Sequence, residues 1–341
     1  MNLREIYIIL LFLVITIVSV GCSNIANQES AQVVIENEKL VKGKNILIKE
    51  SDEEKLGFKP EYTVEIVPDF TSAAQYTLLN EQLDYLKAKD QIAQFKLIID
   101  IDSNREKQFK LMIWDGEEFI NFKKLDQLSK YYEVKLPEGK NYMELNEKVN
   151  LVDGSPLTEL AFLIHDQDFP ADIDFQYSPI RIYITNEKEL LEIPVKKDKR
   201  YKEDHSLLQN KSEFNELEGP RITFLDEDKN VLHDKHLTDK VKFVSISQIN
   251  LNMKESIIFY DSDGHIYESY FMMHPKDKQV VLPIPEEIKK NIGKKDFYML
   301  INYNYDQAGL EEVHKIRENE RTPYLNYSYS FKLGSDSKSS D

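Results

Sequence analysis

A mainly β fold, built as two antiparallel β-sandwich-like domains in tandem with a few short helices, is what this sequence predicts. Three observations carry that expectation. Short apolar–polar alternations of period two recur along the chain, as where Phe95, Leu97, Ile99 and Ile101 alternate with Lys96, Ile98 and Asp100. Aromatic residues, which suit strands, are plentiful, with 19 Tyr and 17 Phe. The 341 residues are enough for about two domains.

Taken in order, Ile6 to Val20 is an almost unbroken apolar run behind a short lead containing Arg4 and Glu5. It has the length of a secretory signal core and is short for a membrane-spanning helix, which needs about 20 apolar residues. Residues 22–60 are polar and weakly patterned and predict a flexible tether. A first domain is expected over residues 61–195. Its strands are Thr63 to Val67, Phe95 to Ile101, Phe109 to Ile113, Tyr132 to Leu136, Leu160 to Ile164 and Ile180 to Ile184. The second and third of these flank Asp102-Ser103-Asn104 and read as a hairpin. Tyr76, Leu79, Leu83 and Leu86 fall at helical spacing and predict a helix from about Ser72 to Lys89. Shorter helical pieces are expected near Lys124 to Tyr131, Glu286 to Ile292 and Leu310 to Arg317.

From 196 to 219 the sequence is charged and aperiodic, which places a linker there. The second domain, 220–333, takes strands at Ile222 to Leu225, Val241 to Ile246, Ser256 to Tyr260, Ile266 to Met272, Val280 to Leu282, Tyr298 to Tyr303 and Tyr327 to Leu333. Asp261-Ser262-Asp263-Gly264 supplies a hairpin turn. Residues 334–341 read as a disordered tail.

The halves share an order of features that suggests a repeat. Ile113-Trp114-Asp115-Gly116 resembles Phe259-Tyr260-Asp261 with Gly264. Val134-Lys135-Leu136-Pro137 matches Val281-Leu282-Pro283, Ala161 to Ile164 matches Tyr298 to Ile301, and Tyr177-Ser178 matches Tyr327-Ser328.

The net charge of −16 sets an acidic surface against nucleic acid, and no nucleic-acid partner is expected. Glycine-rich phosphate loops, GxSxG and HExxH are absent from the sequence. Asp100-x-Asp102-x-Asn104 and Asp226-x-Asp228-x-Asn230 open like calcium loops. Both lack the glycine and glutamate such loops require, so both read as turns. His233 and His236, and equally His165 and His274, read as solvated loop histidines. No catalytic residue, metal site or cofactor is expected. Trp114, Tyr131, Tyr132 and Tyr298 read as strand or core aromatics. Tyr303 and Tyr305, on one face of a strand whose other face carries Asn302 and Asn304, are candidates for ligand binding.

The only cysteine, Cys22, follows Ser19-Val20-Gly21 directly after the apolar run. This segment resembles the lipobox of bacterial lipoproteins, departing from it at Ser19, where an aliphatic residue is usual. The resemblance covers residues 1–22. It implies cleavage of a 1–21 signal peptide, acylation of Cys22 (palmitate among the acyl groups), and attachment to the extracytoplasmic face of the cell membrane. A lone cysteine has no intramolecular disulfide partner, and two acyl chains give stable anchoring where one is marginal. The role expected is non-catalytic binding or structural support, with an envelope protein or glycan as partner. The alternatives are a solute-binding lipoprotein of an import system and an envelope hydrolase.

Overall fold

The computed structural model describes residues 31–47, 62–69, 74–78, 81–88, 92–124, 127–150, 157–167, 179–185, 204–210, 221–232, 240–247, 252–291, 294–305 and 328–334. The first half contributes β1 (Gln32–Lys42), β2 (Tyr62–Asp69), β3 (Ala74–Leu78), β4 (Glu81–Lys87), β5 (Ile92–Ser103), β6 (Lys107–Trp114), β7 (Asn121–Lys124), β8 (Gln127–Ser129), β9 (Tyr132–Leu136), β10 (Gly139–Asn150), β11 (Leu157–Asp166) and β12 (Ile180–Thr185). They form two sheets, ordered β2-β5-β10-β1-β7-β8 and β3-β4-β12-β11-β6-β9. The second half contributes β13 (Leu208–Asn210), β14 (Arg221–Leu225), β15 (Val231–Leu232), β16 (Phe243–Ser247), β17 (Met253–Asp261), β18 (Ile266–His274), β19 (Lys278–Pro283), α1 (Glu286–Asn291), β20 (Phe297–Tyr305) and β21 (Ser328–Gly334). Its sheets are ordered β13-β19-β16-β14-β15 and β18-β17-β20-β21.

Each half closes a core between its two sheets. In the first, the inward residues of β5 and β10 (Leu97, Ile99, Leu145) meet those of β6 and β11 (Leu111, Ile113, Ile164), all essentially without exposure. In the second, Val244, Ile246 and Leu282 meet Ile257, Phe259, Met299 and Ile301. Each such side chain contributes roughly 1.5–3 kcal/mol by leaving water. The outer face of β1, β5 and β10 carries ion pairs instead, Glu144 lying near both Lys39 and Lys96 and Glu36 near Lys148. That face is solvated.

The two halves repeat one topology. The antiparallel order β2-β5-β10-β1 recurs as β14-β16-β19-β13. The order β9-β6-β11-β12 recurs as β18-β17-β20-β21. Chain order is kept in both. Strands two, three and six of each repeat, facing strands four, five, seven and eight, give the arrangement of an immunoglobulin-like sandwich. The leading strand, β1 or β13, extends the first of these sheets beside strand six; β13 ends its sheet, whereas β1 is followed by β7 and β8. Three of the sequence matches agree with this equivalence or fall outside the described residues. The fourth does not: Val134 to Leu136 lies on β9, whose counterpart is β18, whereas Val281-Leu282 lies on β19.

Several expectations are corrected. The tether predicted over 22–60 contains β1, which is internal to its sheet. A bulge between Ile35 and Asn37 breaks its period-two pattern, and the charged Glu36 to Lys39 stretch hides the rest. Residues 74–78 and 81–87 form the antiparallel pair β3–β4 and not a helix. Tyr76 stands opposite Leu83, so a spacing of seven that matches two helical turns here marks a cross-strand pair. The helical piece predicted at 124–131 falls on β7 and β8. The piece at Glu286 is α1, while Leu310 to Arg317 lies outside the described residues. β5 and β6 are strands as predicted but not a hairpin: the connection between them crosses from one sheet to the other, its corner set by Ser103 Oγ donating to Arg105 O at 2.8 Å. β13 lies within the predicted linker and pairs with β19. The Asp261 to Gly264 turn does join an antiparallel pair, β17 and β18.

Lys107 and Asp166 form a buried ion pair, 2.9 Å apart and 1% and 2% exposed, tying the far ends of β6 and β11. Desolvation of both charges offsets most of their attraction. Lys107→Ala, which removes this cation from beside a buried carboxylate, is therefore expected to destabilise the first sandwich by about 3–5 kcal/mol. The double change Lys107→Met with Asp166→Leu is expected to recover most of that loss in urea titrations. Equal losses for both variants would contradict this account.

Candidate functional site

The most chemically distinctive place in the described residues is the joint between the two repeats. It begins with strands buried on both faces. In β6 every residue but Gln108 is buried, and in β17 every residue but Lys254. Their sequences read LMIW and IIFY, continuous where a one-sided strand would alternate. Inward residues serve each sandwich core. Met112 and Trp114 of β6, Ala161 and Leu163 of β11, Ile258 and Tyr260 of β17, and Tyr298 and Leu300 of β20 form a third apolar cluster with Phe119.

The same positions of each repeat supply it. Trp114 stands opposite Ala161 and Met112 opposite Leu163. Tyr260 stands opposite Tyr298 and Ile258 opposite Leu300, in the equivalent register. The following aspartates are equivalent too. Asp115 Oδ1 accepts the backbone N–H groups of Glu117 and Glu118, and Asp261 Oδ1 accepts those of Asp263 and His265. Two repeats joined through one shared face have the character of an isologous interface, here within a single chain.

Aromatic and polar contacts fix the joint. Tyr260 packs on Phe119 with ring centroids 4.8 Å apart, and His165 stacks on Tyr298 at 4.0 Å. Tyr260 Oη lies 3.0 Å from His165 Nε2 and 2.9 Å from Ser330 Oγ. Burial pushes the Tyr260 phenol well above its ordinary range, with the Ser330 hydrogen bond opposing, and burial likewise raises Tyr298. Both phenols therefore stay protonated and can donate. Trp114 Nε1 and Tyr298 Oη are buried without a protein partner. At the rim Lys110 Nζ bonds Asp263 Oδ1 at 2.7 Å and sits 4.0 Å above the Tyr131 ring. Gly264 has φ +79°, and a Cβ there would fall 2.5 Å from Lys130 Cβ. Glycine is required by both the left-handed backbone and the close approach.

Two further buried groups lie away from the joint. His274 Nε2 lies 2.9 Å from the Lys278 carbonyl and must donate to it, while Nδ1 lies 2.6 Å from Glu255 Oε2. Glu147 points into the first core between Leu145 and Val149, 1% exposed, and neither carboxylate oxygen has a partner. Burial alone pushes its carboxyl up to about 8.

The histidine reading is corrected: His165 and His274 are fully buried, on β11 and β18, and neither is a solvated loop residue. His233 and His236 lie outside the described residues, as does Cys22. Asp100 is not in a turn. It lies within β5, buried, and accepts the N–H groups of Ile46 and Leu47. Asp226 is in a turn, accepting Asn230 N, with Lys229 at φ 64°. Trp114, Tyr132 and Tyr298 are buried as read. Tyr303 and Tyr305 lie on β20 opposite Glu255 and Met253, and their side chains are outside the described part. Among the described residues no three His, Cys, Asp or Glu side chains are grouped to hold a metal.

No known family matches the chain, and no curated protein does. Among solved structures it is similar to CBD12 from CALX1.2, at 7% identity and TM-score 0.19, covering 73% of this chain and 96% of that one. It is similar to a two-domain protein of unknown function from Bacteroides fragilis, at 10% identity and TM-score 0.21, covering 85% and 98%. A Parabacteroides merdae β-glucuronidase gives 10% identity and TM-score 0.19, with 28% of that chain covered. Likenesses this weak carry no argument, and the strand order alone defines the fold.

Proposed function

We propose that this chain is a lipoprotein anchored through Cys22 on the extracytoplasmic face of the cell membrane, where its paired sandwiches act as a non-catalytic binding or structural module. The observation that carries the reading is Cys22 itself, the one cysteine of the sequence, set directly after an apolar leader. The fold adds a constraint. Ala31, already 6% exposed, opens the first core nine residues after Cys22. Nine extended residues reach at most about 30 Å. The first sandwich would be held close to the bilayer, and the joint would carry the second as a continuation of it. An envelope protein or glycan remains the partner this arrangement suits. The solute-binding alternative calls for α/β lobes with long helices, and α1 is the one helix among the described residues.

The test is Cys22→Ala in the native host, with an alkyne-tagged fatty acid as label. The expected result is loss of label and failure of signal-peptide processing, or release from the membrane fraction. Unchanged fractionation together with unchanged mass would refute the anchor.

A further inference from the structure

β1 has two different halves. Residues Gln32, Val33 and Val34 are enclosed, pairing with β10 on one side and in parallel with β7 on the other. After the bulge, Asn37 to Lys42 pair with β10 only, from Asn146 to Asn141. Among the described residues no strand covers the other side of this segment. Glu38, Lys39, Leu40 and Lys42 are exposed, and Leu40 is one of four large exposed apolar residues in the described chain, at 37%. An open strand edge of this kind is a template for another strand.

The side chains along this edge select what that strand would be. Period two places Glu38, Leu40 and Lys42 on one face. If the segment pairs antiparallel with itself about Leu40, then Leu40 meets Leu40, Glu38 meets Lys42, and Lys42 meets Glu38. Glu38 already accepts a hydrogen bond from Tyr132, which orients its carboxylate at this rim. Pairing about Lys39 opposes two lysines, pairing between Leu40 and Val41 sets Lys39 against Lys42, and pairing about Val41 sets Leu40 against Lys42 and leaves Glu38 facing Lys44 beyond the end of the strand. Opposite charges facing across an antiparallel pair stabilise it and like charges destabilise it. Charge on an edge strand commonly prevents pairing. Here the spacing of the charges makes the edge complementary to itself.

We propose that the free edge of β1, residues 37–42, pairs antiparallel with the same edge of a second copy of this chain, in the register centred on Leu40. The contact is short, so it forms a weak dimer. Confinement of two copies to one surface would favour it by raising their effective concentration.

The experiment uses the full-length chain in detergent with Cys22→Ser, so that an introduced thiol is the only one. Leu40→Cys, oxidised briefly with copper phenanthroline, is expected to give a disulfide-linked dimer well above that of a Lys140→Cys control on β10. Adding Lys42→Glu, which sets Glu38 against a glutamate, is expected to cut the dimer at least fivefold. Adding Glu38→Lys to that variant restores complementarity and is expected to restore the dimer. A Leu40→Cys dimer no more abundant than the control, or one indifferent to the charge changes, overturns the proposal and leaves the edge as one blunted by its charges.

Discussion

Glu147→Leu is expected to stabilise the first sandwich, and the gain should grow with pH. Glu147 faces inward on β10, opposite Phe95 of β5 and Ile35 at the bulge of β1, and both its oxygens are buried without partners. Burial raises its carboxyl from 4.5 to about 8, so the folded chain holds a proton there that the unfolded chain releases. For a carboxyl raised in the folded state, the sign follows directly. The penalty is absent below about pH 4.5, grows as pH rises toward 8, and levels off above it. At pH 8 and above the cost is on the order of 5 kcal/mol, which leucine removes while keeping a similar volume. Trp114 is the only tryptophan and is buried beside this sandwich, so its fluorescence follows unfolding. The native chain should lose stability between pH 5 and 8 in urea titrations, and the variant should lose much less. Identical slopes for the two would defeat the assignment.

Tyr260→Ala is expected to uncouple the two repeats while leaving each core intact. The side chain is wholly buried, belongs to the joint cluster and to neither sandwich core, and reaches Phe119, Tyr298, His165 and Ser330. Truncating a buried aromatic costs about 3–5 kcal/mol. Here that loss falls on the coupling between repeats, with His165 and Ser330 losing a partner as well. Calorimetry should show one transition dividing into two, and small-angle scattering should show a larger radius of gyration. Tyr260→Phe keeps the ring and loses the hydroxyl contacts, so its cost should be about 1–2 kcal/mol with the repeats still coupled. An unchanged single transition and unchanged radius for Tyr260→Ala would mean that the joint does not hold the repeats together.

How much of this was legible differs by element. Strand positions follow from local signals: alternation for β9, short apolar runs for β11 and β17, and the Asp261 to Gly264 turn between β17 and β18. Strand partners do not follow. β5 and β6 carry the alternation of a hairpin, yet a three-residue connection can equally turn a corner between facing sheets. The spacing of Tyr76 and Leu83 fits a helix and a hairpin alike, and only tertiary pairing distinguishes them. The joint did leave a trace in the sequence. LMIW and IIFY are continuous apolar runs, as suits strands buried on both faces, and they occupy equivalent places in the two repeats. His165 left none, since an isolated histidine gives no sign of the aromatic rings that enclose it.

By itself the sequence determined the β class, the acidic surface, and the position of its one cysteine behind an apolar leader. Each of these is a property of composition or of neighbours along the chain. Only the tertiary structure decided that β1 belongs to the first sheet, that the halves repeat one topology, and that they meet through the same face. It also placed Glu147 in a core without a partner and, among the described residues, left half of β1 with no strand on one side. The physical reason is common to all of these: they depend on contacts between residues far apart in sequence, where burial and pairing are settled by the packing of whole sheets.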